Sequence, residues 1–204
     1  RVAASDICES HGLSIAFTRA SRKNLCGFPG ARHGVSMRTL ILFRHAKAVR
    51  AHEAPSDAAR ALTGRGRREA ALAGAAMEQA GLAPMLALVS TSQRTRETAE
   101  HGLANFKLET RFEEALYHAA PDGVWDAFVL SDASSVVVVG HNPGLGELAS
   151  MLVHQAHDGS KLARDLGGHF PTAAFAAFEI RGDLMAAAGP SLLTAWKPER
   201  KGED

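Results

Sequence analysis

The chain has 204 residues, 46% of them hydrophobic and 22% charged, which suits one ordinary globular domain and excludes a disordered or fibrous protein. With 23 Lys and Arg against 22 Asp and Glu, the net charge is +1, so no general field draws the chain onto nucleic acid or an anionic membrane and any anion binding must be local. No apolar run approaches the roughly 20 residues of a membrane helix, and both cysteines, Cys8 and Cys26, precede Met37; a soluble, cytoplasmic protein held by a packed core is expected.

Residues 1–36 carry no sustained period of 2 or 3.6, and their one short apolar stretch, Leu13 to Phe17, is shorter than the roughly 7–15 residues of a secretory signal core. Asp6 and Glu9 count against a transit peptide. The segment reads as a non-native or disordered N-terminal extension, with Met37 as the natural start and one domain over 37–204. From Met37 strand-like and helix-like blocks alternate, the pattern of a mostly parallel sheet with helices on its faces. Arg38 to Phe43 is a β-prone run of the kind buried on both faces. Thr63 can cap a helix to about Ala80, with Leu72, Ala76, Met77 and Ala80 on one stripe and Gly81 as its stop. Met85 to Ser90 is a second strand, and Gln93 to Ala104 a helix. Lys107 to Arg111 is a short strand, followed by an irregular stretch and a helix opened by Pro121 that carries Val124, Trp125, Phe128 and Val129. Ser135 to Gly140 is a central strand, Gly144 to Gln155 a helix and Ala156 to Pro171 a long loop. Ala173 to Ile180 and Leu184 to Ala188 read as a hairpin around Arg181-Gly-Asp183.

Three strands end in polar chemistry: Arg44-His45 after the first, Ser90 and Arg94 after the second, His141-Asn142 after the fourth. In an open parallel sheet the carboxyl ends of the strands face one edge, so these residues should meet there. Two His and two Arg side by side repel unless an anion neutralises them. A phosphoryl group of about −1.5 to −2 charge does so and accepts the paired hydrogen bonds of guanidinium. The helix start at Asn142-Pro143-Gly144 adds backbone N–H groups and a positive dipole end suited to the same anion.

At these positions the chain resembles the histidine phosphatase superfamily, also called phosphoglycerate mutase-like, and within it the short SixA-type phosphohistidine phosphatases. The resemblance runs from Met37 to about Pro198. It rests on Leu-Phe-Arg44-His45-Ala46-Lys47-Ala48, Leu62-Thr63-Gly64-Arg65-Gly66, Ser90-Thr-Ser-Gln-Arg94-Thr-Arg-Glu-Thr98-Ala99, Leu116-Tyr117 and Val139-Gly140-His141-Asn142-Pro143-Gly144. It implies a three-layer α/β/α sandwich and a phosphohistidine intermediate on His45. It also implies a phosphate pocket of Arg44, Arg94 and His141 with Asn142 beside it, and neither metal nor cofactor. The superfamily's usual Arg-His-Gly is Arg44-His45-Ala46 here, while Arg32-His33-Gly34 upstream matches the triplet literally but follows no strand. Larger relatives carry a Glu after the third strand to protonate the leaving group; Glu113 or Glu114 fits that role and the spacing does not choose between them.

A neutral imidazole can attack phosphorus in line while the other three groups offset charge on the equatorial oxygens. Arg65, Arg67 and Arg68 read as a solvated face. His52, His101, His118, His154, His157 and His169 read as structural, without convincing metal-ligand spacing, and His169 and Thr172 lie in a loop that could border the pocket. The expected substrate is phosphohistidine on a protein. The alternatives are a small phosphate ester, or a module that recognises phosphate without turnover.

Overall fold

The computed structural model describes residues 37–157, 159–161, 163–164, 169–181 and 189–199. The expected N-terminal extension and the Leu184 to Ala188 half of the expected hairpin lie outside those residues.

Among the described residues the strands and α-helices follow in the order β1 (Met37–Arg44), α1 (Gly64–Gln79), β2 (Leu86–Ser90), α2 (Gln93–Gly102), β3 (Glu109–Glu113), α3 (Pro121–Leu130), β4 (Ser135–Gly140), α4 (Gly144–Gln155), β5 (Phe175–Arg181) and β6 (Ser191–Trp196). They build one six-stranded sheet in the order β3-β2-β4-β1-β5-β6. β1 to β4 pair parallel, β5 pairs antiparallel with β1 and β6 antiparallel with β5, so the sheet is mostly parallel as expected.

The strand period of two divides the apolar side chains between two faces. Leu40, Leu42, Leu86, Leu88, Val136 and Val138 pack with Val124, Trp125 and Phe128 of α3 and Leu145, Leu148 and Leu152 of α4. Ile41, Phe43, Ala87, Val89, Val137 and Val139 pack with Ala73 and Met77 of α1 and Ala99 of α2. Helices on both faces make the α/β/α sandwich. Each fully buried Leu, Ile or Phe contributes roughly 1.5–3 kcal/mol over its exposed state. No helix among the described residues is long and apolar enough to cross a membrane.

Thr63 caps α1 by accepting from the Gly66 N–H at 3.0 Å. The buried stripe of that helix differs from the expected one: Leu72 is 58% exposed, Ala80 is exposed, and Gly66, Glu69, Ala70, Ala73, Gly74 and Met77 face inward. Small residues win that face because α1 lies almost against α2, where a Cβ on Gly74 would stand 2.1 Å from the Gly102 carbonyl oxygen. β3 is displaced two residues from the expected Lys107 to Arg111, set by its pairing of Leu86 with Glu109 and Ser90 with Glu113. The described antiparallel partner of β5 is Ser191–Trp196, a strand that the sequence pattern does not announce.

Register decides where the chemistry goes. Phe43 pairs with Val139 and Val139 with Val89, so these three stand in one row across the sheet. One step on, Arg44 pairs with Gly140 beside Ser90, and the chains leaving the sheet carry His45 and His141 out at the same edge.

Candidate active site

The segment after β1 is held on both sides. The His45 N–H donates to the Gly140 carbonyl at 3.0 Å, the Arg44 N–H to Ala174 at 3.0 Å and the Ala173 N–H to the His45 carbonyl at 3.2 Å. The next N–H, of Ala46, donates to Thr98 Oγ1 at 3.0 Å, and the Thr98 hydroxyl donates to the Arg94 carbonyl at 2.6 Å. Strand end, loop and α2 are thereby one unit. Ala46 itself is fully buried, with Leu62, Ala70 and Ala173 around it, so its methyl fills core where the superfamily's glycine leaves space.

His45 Nδ1 lies 2.9 Å from the Ala46 carbonyl oxygen. A carbonyl only accepts, so Nδ1 carries the proton and Nε2 of the neutral ring keeps its lone pair. Burial pushes the ring's pKa down to about 4, with Arg94, Arg44 and Arg60 adding to the fall and the bond to Ala46 opposing it. The His141 ring sits 5.2 Å away, centroid to centroid, and is 4% exposed. An Arg94 amino group approaches its Nδ1 at 3.3 Å. Guanidinium can only donate, so Nδ1 accepts and Nε2 bears the proton that goes to Ser90 Oγ at 2.9 Å. Burial first, then the charges of His45, Arg94 and His118, lower the His141 pKa to about 3. Both rings are therefore neutral at pH 7.

Arg94 stands in the first turn of α2, an electrostatically poor place for a cation, and is 2% exposed. Asp57 offsets the cost: the Asp57 carbonyl accepts from one amino group at 2.6 Å and Asp57 Oδ2 from the other at 2.9 Å. The same carboxylate accepts from the Tyr117 hydroxyl at 2.7 Å and, through Oδ1, from Arg60 at 3.0 Å. The Tyr117 hydroxyl first, then Arg60 and Arg94, hold this carboxyl well below the usual range against the opposing effect of burial.

Arg44 donates to the Phe170 carbonyl at 2.7 Å, and its Nε is buried without a partner; burial lowers the guanidinium's pKa. Asn142 donates to the same carbonyl at 3.0 Å, and its Oδ1 is likewise buried without a partner. A charge and a donor group thus brace one carbonyl, and Arg44 Nε remains a buried donor without a partner.

The structure brings together Arg44, His45, Arg94, His141, Asn142 and Ser90. Glu113 and Glu114 end β3 and begin the turn after it; neither hydrogen bonds to His45, Arg94 or His141, and among the described residues the carboxylate that touches the cluster is Asp57. His118 is another addition: its ring stacks on His141 at 5.4 Å with the planes 28° apart, and its Nε2 lies 3.5 Å from Asp57 Oδ2. From the sequence it reads only as structural. Arg65 and Arg67 are half-exposed and pair with Glu69 and Glu97, a solvated face as expected.

A neutral imidazole with an available Nε2, two guanidinium groups and a second imidazole within one pocket can accept a phosphoryl group and offset the charge on its oxygens. Comparison with known proteins agrees with that chemistry. The family model described as the histidine phosphatase superfamily (branch 1) matches residues 40–120. An uncharacterized protein of Mycobacterium tuberculosis is 33% identical over 141 residues, 68% of this chain and 87% of the relative. The solved structure of the "putative phosphohistidine phosphatase SixA" from Nakamurella multipartitia is 31% identical, superposes with a TM-score of 0.68, and is matched over 96% of its length and 79% of this chain. A protein histidine phosphatase SixA solved with tungstate, 22% identical over 77% of this chain and 95% of its own, shares the fold at a TM-score of 0.58. The chain belongs to the histidine phosphatase superfamily, with the SixA type as its place within it.

Proposed function

We propose that this phosphatase removes phosphate from phosphohistidine on a protein, through a covalent phosphohistidine intermediate on His45 and without a metal. The observation that carries the reading is the state of His45. Its Nδ1 proton is committed to the Ala46 carbonyl at 2.9 Å, and burial keeps the ring neutral. That leaves the lone pair on Nε2, in a ring 5.2 Å from that of His141 and under the charges of Arg94 and Arg44. Neutral imidazole attacks phosphorus, the P–N bond forms as the bond to the leaving group breaks, and water releases phosphate in a second step. The guanidinium groups supply the positive charge that a metal would otherwise bring.

The choice of substrate rests on the rim. Asp57 and His118 at the pocket's mouth have side chains 43% and 56% exposed, so the site is open to solvent and suits a phosphoryl group carried on a bulky partner. An imidazole leaving group also needs less protonation than an alkoxide. The resemblance to the "putative phosphohistidine phosphatase SixA" points the same way. The test is a substrate panel in EDTA: a histidine-phosphorylated protein, several sugar phosphates and an aryl phosphate. We expect kcat/KM for the phosphohistidine protein to exceed that for sugar phosphates at least about a hundredfold, a transition-state preference of roughly 2.7 kcal/mol. Preference for a sugar phosphate would make the protein a small-ester phosphatase, binding without release a recognition module, and loss of activity in EDTA restored by Mg²⁺ or Zn²⁺ a metal enzyme.

A further inference from the structure

We propose that His118 is the proton donor to the leaving group and the proton acceptor from water in the second step, an inference that rests on His45 as the nucleophile. Three independent features put it there. Its ring lies against His141, 5.4 Å between centroids, and His141 in turn stands 5.2 Å from His45, so the three imidazoles line one wall running from the nucleophile to solvent. Its Nε2 lies 3.5 Å from Asp57 Oδ2, an ion pair whenever the ring is protonated. That gives the ring the carboxylate partner that orients an acid–base histidine. Third, the backbone at His118 has φ 56°, a left-handed conformation that a residue with a Cβ adopts at a cost of order 1–3 kcal/mol. The turn after Leu116 accepts that cost and in doing so aims the imidazole at the pocket instead of away from it.

The carboxylates near the pocket do not serve as well. Asp57 accepts from Tyr117, Arg60 and Arg94 at once, which holds it ionised and without a proton to give. Glu113 and Glu114 make no hydrogen bond to the cluster. The step balances with His118 in the role. The phosphoryl group passes to His45 Nε2, the bond from phosphorus to the leaving atom breaks with its electron pair on that atom, and the His118 ring gives that atom a proton. Water then attacks phosphorus, the P–N bond breaks with its pair on His45, and the proton lost by water returns to His118. The groups that face the ring are Asp57 from the loop before α1, its neighbour Tyr117 and His141 after β4.

His118→Asn is the variant to test, because Asn tolerates the left-handed backbone and cannot donate an acidic proton. kcat/KM would be measured for phenyl phosphate, whose leaving group has a pKa of about 10 like tyrosine, and for p-nitrophenyl phosphate, whose anion is stable without a proton. We expect His118→Asn to lose about a hundredfold or more on phenyl phosphate and no more than about threefold on the nitrophenyl ester. Equal losses on both esters, no loss on either, or a wild type unable to turn over phenyl phosphate would overturn the proposal. Acid-labile label trapped on His45 in both proteins keeps the tests apart: its absence from the wild type defeats the reading of His45, whereas its presence with equal losses defeats only that of His118.

Discussion

Asp57 holds Arg94 from two sides, accepting from one amino group at its main-chain carbonyl, 2.6 Å, and from the other at Oδ2, 2.9 Å. A guanidinium that is 2% exposed would be intolerable without a counter-charge. In the absence of phosphate the protein supplies that counter-charge from its own loop. The loop carboxylate therefore occupies part of the hydrogen-bonding capacity that an incoming phosphoryl group needs. An incoming phosphoryl group would compete with Asp57 for Arg94.

Competition makes the effect of Asp57→Asn opposite in sign for folding and for binding. Removing the charge leaves Arg94 under-compensated and should destabilise the protein by roughly 1–2 kcal/mol, a figure reduced because Asp57 is half-exposed. Inorganic phosphate should then bind about tenfold tighter, and the rise in melting temperature on adding it should be larger than in the wild type. Turnover should fall, since His118 loses its partner. Thermal melts with and without phosphate check this, and weaker phosphate binding in the variant would show that Asp57 assists the anion.

The two pocket histidines should titrate far below free imidazole. Proton NMR of the ring signals is expected to give midpoints near 4 for His45 and near 3 for His141. Because an unfolded chain binds those protons near pH 6.5 and the folded one does not, their contribution to stability is fully present above about 6.5. It is lost as pH falls through the two folded values. Bound phosphate favours the charged rings and should raise both midpoints. A His45 midpoint above about 7 in the phosphate-free protein would mean that the nucleophile is mostly charged at neutral pH.

Much of the fold and of the pocket is legible in the amino-acid sequence because the signals are local and periodic. The apolar runs of β1, β2 and β4 mark central strands, Thr63 marks a helix start, and polar residues at three strand ends converge in any parallel sheet. What stays hidden is set by loops and by backbone atoms. Asp57 sits in Ser56-Asp-Ala-Ala-Arg60, where nothing periodic says that the loop folds back onto α2. His118 lies in an irregular stretch, and a left-handed φ at a histidine leaves no mark in the sequence. The anchor of Arg44 is the Phe170 carbonyl, which any residue type would supply. On α1 hydrophobicity alone favours Leu72 for the inner face, whereas the helix contact selects for smallness.

That contact gives a stability prediction. Gly74→Ala raises helix propensity by about 1 kcal/mol, yet its Cβ would stand 2.1 Å from the Gly102 carbonyl oxygen and 2.9 Å from its carbon. Backbone cannot yield as a side-chain tip does, so α1 and α2 must part and the Ala73 and Met77 packing loosens. A net loss of about 2 kcal/mol is expected, against less than about 0.5 kcal/mol for Leu72→Ala on the exposed side. Denaturant unfolding of the two variants checks the order. A more stable Gly74→Ala protein would show that the helices stand further apart than described.

The identity of the nucleophile can be settled by chemistry. If His45 takes the phosphoryl group, wild-type protein quenched during turnover with a labelled substrate carries label stable to base and labile to acid, as a P–N bond is. His33→Ala should carry the same label, although Arg32-His33-Gly34 spells the family triplet, because Arg44-His45 leaves the end of β1 beside Gly140. His45→Ala should carry none and should lose turnover entirely. It should still bind inorganic phosphate or vanadate, since Arg44, Arg94 and His141 remain. Arg94→Ala should lose binding and rate together if its guanidinium holds the phosphoryl oxygens in both the ground and transition states. Turnover by His45→Ala at the wild-type rate would remove His45 from the chemistry. Label on His33 would overturn the choice of His45 as the nucleophile.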